Sequence, residues 1–444
     1  MINLPKKVKV IIQRITDAGY EAYAVGGCIR DSLLMRVPDD WDVTTSATPY
    51  QVKEIFGYTI DTGIKHGTVT VMMEGEGFEI TTYRIDGKYE DNRHPSEVTF
   101  TPSLEEDLRR RDFTINAMAY NDQTGLVDIF EGIEDIRKKR IRCVGNPMER
   151  FSEDALRIMR GVRFSAQLGY EIEEQTKEAV KRLAPDLGRI SAERIQTELV
   201  KLVVSPHPDY LRTAYELGIT KVVLPEFDAC MVTRQNHPHH CYSVGEHILA
   251  SMNAIAPDKV LRLAMLFHDM GKPETITVDE AGITHFHGHG AVSEKIAKRV
   301  LARLKFDNHT IEQVTALVKY HDYHVNPSQK GVRQAIMKVG EDIFPLLLQV
   351  KAADLEAQSD YQREEKKEHL EKISLLYEEV ISGKQCVSLK MLAVSGKDLI
   401  EQIDMKPGRQ IGEVLHHLLD LVIEEPSRNQ KEVLIKEAKR YLKI

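Results

Sequence analysis

The 444-residue chain has a single tryptophan, only five cysteines and no surplus of positive charge, its formal net charge being -8. The cysteines (Cys28, Cys143, Cys230, Cys241 and Cys386) are scattered, odd in number and without a CxxC pair. That excludes a disulfide framework and a zinc ribbon, and it fits a reducing compartment. No apolar run approaches the roughly 20 residues that cross a bilayer. The opening MINLPKKVKVIIQRI alternates charge with aliphatics, unlike a cleaved leader, so the expected setting is the cytoplasm, with no membrane partner. The acidic balance excludes a protein that grips nucleic acid over its whole surface and leaves room for a regional basic groove. Internal repeats and low-complexity stretches are also lacking. At roughly 150 residues per domain, the length implies about three domains.

What is present is organised in segments. The first alternates helical patterns with strand-like runs, YEAYAVGG, WDVTT, GTVTVMM and FEITTYR, and reads as an α/β head over residues 1–135. Residues 136–205 turn helical and Arg-rich, with FSEDALRIMRGVRF expected to open on an N-cap at Ser152 and RISAERIQTELVKLVV on Ser191. Residues 206–380 are helical in pattern and carry most of the histidines, and 381–444 read as a tail of two or three amphipathic helices. The fold class expected is α+β.

Asp40 and Asp42 in DWD lie in a strand-like stretch, whose two-residue period points both carboxylates to one face. Two such groups, with Glu79 from a neighbouring strand, can hold divalent metal for in-line attack of a ribose 3′-hydroxyl on a triphosphate. Alone, an acidic pair is more often a solvated surface feature. Gly26-Gly27 upstream, before a short helix bearing Arg30 and Asp31, lets backbone N–H groups approach phosphate. In Arg110-Arg111-Asp112-Phe113-Thr114-Ile115-Asn116, read as a helix start, Arg111 suits triphosphate oxygens through its planar fork. Asp112 can accept a hydrogen bond from a ribose hydroxyl. In EDALRIMRGVRF, Asp154 and Arg157 are i,i+3 helix neighbours. A carboxylate beside a guanidinium matches the amino group and bare ring nitrogen of cytosine or adenine and mispairs with uracil and guanine. Arg160 and Arg163 would hold phosphate or a flanking base. The bland alternative for Asp154 and Arg157 is a surface ion pair.

Taken in order, VGGCIRD, DWDVTT, TTYRIDGKYEDNRHPSEVTFTPSLEEDLRRRDFTINAMAY, VDIFEGIEDIRKKRIRCVG, EDALRIMRGVRF and RISAERIQTEL closely resemble the class II tRNA nucleotidyltransferases and poly(A) polymerases. The resemblance implies a polymerase-β-like nucleotidyltransferase head followed by helical neck, body and tail. It implies Mg2+ at Asp40 and Asp42, and CTP or ATP bound by Gly27, Arg30, Arg111, Asp112, Asn116, Asp154, Arg157, Arg160 and Arg163. The partner implied is the tRNA 3′ end. Asp128, Gly132 and Asp135 match the family's hinge, where glycine suits a flexing joint. Relatives that add only CC have a shortened loop ahead of RRDFTINA; residues 84–107 here are full length, which favours ATP use and complete CCA addition. A-adding and poly(A)-adding enzymes keep that loop and stay open as alternatives.

His247, His268, Asp269, His289, His321 and Asp354 resemble the ligands of the HD phosphohydrolase superfamily, the donor set of a divalent transition metal. His237, His239, His240, His285, His287 and His324 are expected to be bystanders. A competing reading makes this half the principal enzyme, with a regulatory or protein-modifying head; RRDFTINA and EDALR argue against it. A non-catalytic RNA-binding protein would be expected to lose Asp40 or Asp42, and both are present.

Overall fold

In the computed structural model, which describes residues 2–87, 98–239 and 241–444, Val8, Ile11, Ile12 and Ile15 recur at helical spacing and form the buried stripe of α1 (Lys6–Asp17). That stripe covers a sheet. Its strands follow as β1 (Ala22–Val25), β2 (Val43–Thr45), β3 (Thr59–Gly63), β4 (Thr68–Met73) and β5 (Glu76–Thr82), with α2 (Gly27–Leu33) after β1 and α3 (Pro49–Ile55) after β2. A small ladder of β6 (Arg84–Asp86) and β7 (Val98–Phe100) leads to α4 (Leu104–Arg109), and β8 (Ala119–Asn121) and β9 (Gly125–Val127) complete the sheet. The order is β3-β4-β5-β2-β1-β8-β9. β2 and β5 run parallel, Val43 opposite Ile80, and the other neighbours are antiparallel. Val43, Ile80, Ala24, Ile29 and Met118 pack with the α1 stripe in one core. Of the loop expected to be full length, residues 88–97 lie outside the described residues.

Two local expectations are corrected here. β2 begins at Val43, so Asp40 and Asp42 stand on its extended lead-in and not inside the strand. The ladder reaches back only to Asp42, whose carbonyl accepts the Val25 N–H at 3.0 Å. The RRDFTINA run is not a helix start. Ser103 caps α4, Arg110 ends it, and the Asp112 carboxylate accepts the Phe113 N–H at 2.8 Å, a local bond that competes with a continuing helix. Only a single 3-10 turn, Thr114–Asn116, follows.

Beyond α5 (Gly132–Arg137) come β10 (Arg140–Ile141), α6 (Pro147–Glu153), α7 (Leu156–Leu168), β11 (Glu171–Ile172), α8 (Glu174–Leu183) and α9 (Ala192–Val203). β10 and β11 form a short parallel ladder within this helical segment. The helix expected to open on Ser152 is two helices. Asn146 caps α6 with Pro147 at its first position, Ser152 sits in its last turn bonded back to the Met148 carbonyl, and the chain breaks at Asp154. Ser191 does hold the N-cap position of α9, without a side-chain cap bond. The short α10 (Leu211–Glu216) and α11 (Thr220–Val223) follow.

The chain divides into two compact units, Met1–Pro225 and Glu226–Ile444, the division falling at α12 (Pro225–Val232). The second unit runs through α13 (Val244–Asn253), α14 (Lys259–Phe267), α15 (Lys272–Thr275), the hairpin β12 (Thr277–Val278) and β13 (Thr284–His285), α16 (His289–Arg303), α17 (Asn308–Tyr320), α18 (Gln329–Val339), α19 (Phe344–Glu356) and α20 (Arg363–Ser382). Its last three helices, α21 (Gly396–Ile403), α22 (Arg409–Glu424) and α23 (Lys431–Leu442), bury Leu399, Val414, Leu418, Val422 and Leu434 in a core of their own.

Candidate functional site

Gly26 closes β1 with φ +87°, and a side chain there would meet the Arg111 guanidinium at 3.0 Å. The positive φ is what calls for glycine. Gly27 opens α2 behind it. The parallel register sets Asp42 beside Glu79, each one residue before the Val43–Ile80 pair. Asp42 keeps an exposed face, but its carboxyl sits in a recess. Burial first, then the nearby Asp40 and Glu79 carboxylates, push its pKa up to about 6 against the pull of Arg111. Mutually repelling oxygen donors of this kind fit a hard divalent cation.

Behind this acidic edge lies a braced set of arginines. Arg30 reaches Asn116 Oδ1 at 2.7 Å, Asn116 reaches Asp112 Oδ1 at 3.4 Å, and Arg160 Nε donates to Asp112 Oδ2 at 2.7 Å. Burial alone would raise the Asp112 pKa, but Arg160 and Arg157 hold it down at about 2. Arg163 pairs with Glu198 of α9 at 2.8 Å, both side chains under a tenth exposed. Burial lowers the Arg163 pKa to about 10. Phe164 serves all three guanidiniums as a platform, with Arg163, Arg30 and Arg160 lying 3.8, 5.1 and 5.3 Å from its ring centre.

Asp154 and Arg157 do not pair, contrary to the i,i+3 expectation, because Asp154 lies between α6 and α7 and not on a helix. Its carboxylate accepts the Leu156 N–H and both Nη groups of Arg194, while Arg157 donates to Glu153 at 2.6 Å and to the carbonyls of Arg150 and Arg110. Arg194 and Glu198, inside RISAERIQTEL, were visible in sequence only as part of a motif. Around the expected hinge, Asp128 accepts the Gly132 and Ile133 N–H groups, and fully buried Asp135 holds Arg140, Arg142 and Thr114. Gly132 is dictated by close packing, since a Cβ there would lie 2.4 Å from the Thr114 carbonyl oxygen.

In the second unit the histidines converge. Two trios, His247, His268 and Asp354, and Asp269, His289 and His321, each bring their ligand atoms within 4.8 Å of one another. Asp269 stands between them, Oδ2 3.4 Å from His247 and His268 and Oδ1 3.3 Å from His289. Each ring turns Nδ1 to a backbone carbonyl, those of Ala357, Met265, Phe286 and Val318. A carbonyl cannot donate, so Nδ1 carries a proton and Nε2 is the nitrogen each ring turns inward. Facing nitrogens 3.0 Å apart, as in His289 and His321, suit a bound cation. His237, His239, His285 and His287, expected as bystanders, line the cavity of about 380 Å³ over Asp269 and Asp354. His324 lines an adjoining one, and His240 lies outside the described residues.

A mixed sheet with an acidic edge, an arginine-lined recess behind it and a helical continuation define a nucleotidyltransferase. Residues 22–142 match the model of the poly A polymerase head domain, 169–231 that of the probable RNA and SrmB-binding site of polymerase A, and 274–438 that of tRNA nucleotidyltransferase domain 2. The chain is 34% identical over 440 residues to the CCA-adding enzyme of Enterococcus faecalis, covering 98% of this chain and 96% of the relative. It is 33% identical over 444 residues to that of Ligilactobacillus salivarius, covering 99% and 98%. The crystal structure of the Bacillus stearothermophilus CCA-adding enzyme in complex with CTP superimposes with TM-score 0.73 at 30% identity, covering 98% of this chain and 96% of that one. The chain belongs to the family of CCA-adding enzymes and is a tRNA nucleotidyltransferase.

Proposed function

We propose that the chain adds C, C and A in turn to the tRNA 3′ end, taking CTP and ATP and using Mg2+ at Asp40 and Asp42 with Glu79 alongside, in the cytoplasm. The observation that carries this reading is the acidic trio set before the braced arginines. The 3′-hydroxyl oxygen bonds to the α-phosphorus of the incoming nucleotide, the bond to the β-phosphate oxygen breaks, and pyrophosphate leaves. A divalent cation, when bound, acidifies that hydroxyl and offsets the triphosphate charge. Arg30, Arg111, Arg160 and Arg163 neutralise the phosphates, Gly27 lets them approach α2, and Asp112, oriented by Asn116 and Arg160, meets the ribose. Asp154 and Arg157 read the base. Full CCA addition is preferred to A-only or poly(A) addition because the relatives that match the chain over nearly its whole length are CCA-adding enzymes.

The test supplies tRNA transcripts ending at the discriminator base, at C or at CC with labelled CTP, ATP or both, and sizes the products. Growth of every transcript to CCA and no further is expected. Extension of the CC-ending transcript alone would identify an A-adding enzyme, and long adenosine ladders a poly(A) polymerase.

A second reading concerns the other unit. The inward-facing Nε2 atoms and Asp269 support a divalent transition metal at His247, His268, Asp269, His289, His321 and Asp354, in an HD-like phosphohydrolase centre acting on phosphate esters. Metal analysis of the purified protein and release of phosphate from p-nitrophenyl phosphate test it; a metal-free protein with no such activity would refute it.

A further inference from the structure

Arg194 and Glu198 stand at i and i+4 on α9, so one face of that helix grips α7 and the break ahead of it. Glu198 holds Arg163, and Arg194 holds Asp154 through both Nη groups, at 3.2 and 2.7 Å. An ionised carboxylate offers about four acceptor positions. Among the described residues, Asp154 Oδ1 takes the Leu156 N–H at 3.0 Å and Arg194 Nη1, and Oδ2 takes Arg194 Nη2. Three positions are thereby filled, and the one that remains is on Oδ2.

We propose that Arg194 is a positioning residue for base selection, fixing Asp154 in one orientation and leaving a single acceptor, on Oδ2, for the exocyclic amino group of cytosine or adenine. This rests on the reading of Asp154 as a base-reading group. A planar, bidentate guanidinium stops the carboxylate from rotating about its own axis. A uracil or guanine carbonyl placed at Oδ2 therefore meets a lone pair that cannot turn away, and no alternative contact relieves the mismatch. Were Asp154 free to rotate, its second oxygen or an inserted water would soften that rejection. Lysine keeps the charge but offers no fork, so Arg194→Lys separates orientation from electrostatics.

The experiment measures kcat and KM for single additions of CTP and UTP to a transcript ending at the discriminator base, and of ATP and GTP to one ending in CC. Wild type, Arg194→Lys, Arg194→Met and Asp154→Ala are compared, with thermal melts of each. Arg194→Lys is expected to cut the ratio of correct to incorrect kcat/KM by on the order of tenfold, and Arg194→Met by more. A merely structural arginine would lower kcat/KM for correct and incorrect nucleotides in equal proportion, and that result would overturn the proposal. If Arg194→Met does not fold, the lysine variant decides. If Asp154→Ala leaves the ratio at the wild-type value, the base-reading role of Asp154 fails; if it collapses the ratio while Arg194→Lys does not, the role of Arg194 alone fails.

Discussion

In the first unit the groups that would meet substrate are long side chains braced on other side chains: Arg30 on Asn116, Arg160 on Asp112, Arg163 on Glu198, Asp154 on Arg194. In the second they are imidazoles braced on backbone carbonyls at Ala357, Met265, Phe286 and Val318. Among the described residues, the groups of three whose ligand atoms lie within 4.8 Å of one another belong to the second unit alone. A backbone brace presets a ligand before anything binds, whereas the braces of Arg30, Arg160 and Arg163 can be exchanged when a triphosphate supplies an equivalent partner; the two-point hold of Arg194 on Asp154 has no such competitor. On the proposed reading, a cation at the head would draw further oxygens from an arriving triphosphate, whereas the histidine centre would draw its ligands from the protein.

The largest effect expected from this difference is on the acidic edge. Asp40→Ala with Asp42→Ala should lower nucleotide incorporation by at least about a thousandfold, since the cation would lose its protein anchor, and should leave metal carried by the second unit unchanged. Plasma mass spectrometry and the extension assay on one preparation check both halves. Next comes the reverse experiment: Asp269→Asn removes the carboxylate shared by both trios, so transition metal should be lost from the purified protein while nucleotide incorporation stays within about twofold. Arg163→Met leaves Glu198 buried without its cation, a change that costs about 3–5 kcal/mol, read as a lower denaturation midpoint.

The smallest effect lies at Asp112. Its folded pKa of about 2 is below the ordinary 3.8, so its ion pair stabilises the fold above 3.8 and that contribution is lost as pH falls through about 2. The gap in stability between wild type and Asp112→Asn should stay constant from pH 5 to 8 and close in acid, as acid-unfolding curves would record. The same variant should reduce preference for CTP over dCTP by on the order of tenfold.

Much of this was legible in the sequence, and the reason it was so differs by residue. Gly26-Gly27, Asp40 and Asp42, and the HD pair at His268-Asp269 are encoded by neighbours in sequence, so spacing alone exposes them. Strands do form within WDVTT and FEITTYR, although β2 starts only at Val43, and their parallel pairing sets Glu79 beside Asp42. Where a local bond competes with a helix, periodicity misleads. The Asp112–Phe113 contact ends the RRDF stretch as a turn, and the break at Asp154 separates it from Arg157. Pairings across helices left no sequence signal. Arg194 and Glu198 stand out in sequence only as part of RISAERIQTEL, and His237, His239, His285 and His287 are expected as bystanders, yet the fold brings these four around one cavity.

The most direct measurement is one gel on which wild type, the Asp40→Ala/Asp42→Ala variant and Asp269→Asn each extend a tRNA transcript ending at the discriminator base, with CTP and ATP together. Wild type and Asp269→Asn should stop at CCA, and the double variant should add nothing. Incorporation by the double variant, or its loss in Asp269→Asn, would contradict the assignment of nucleotidyl transfer to the head carboxylates.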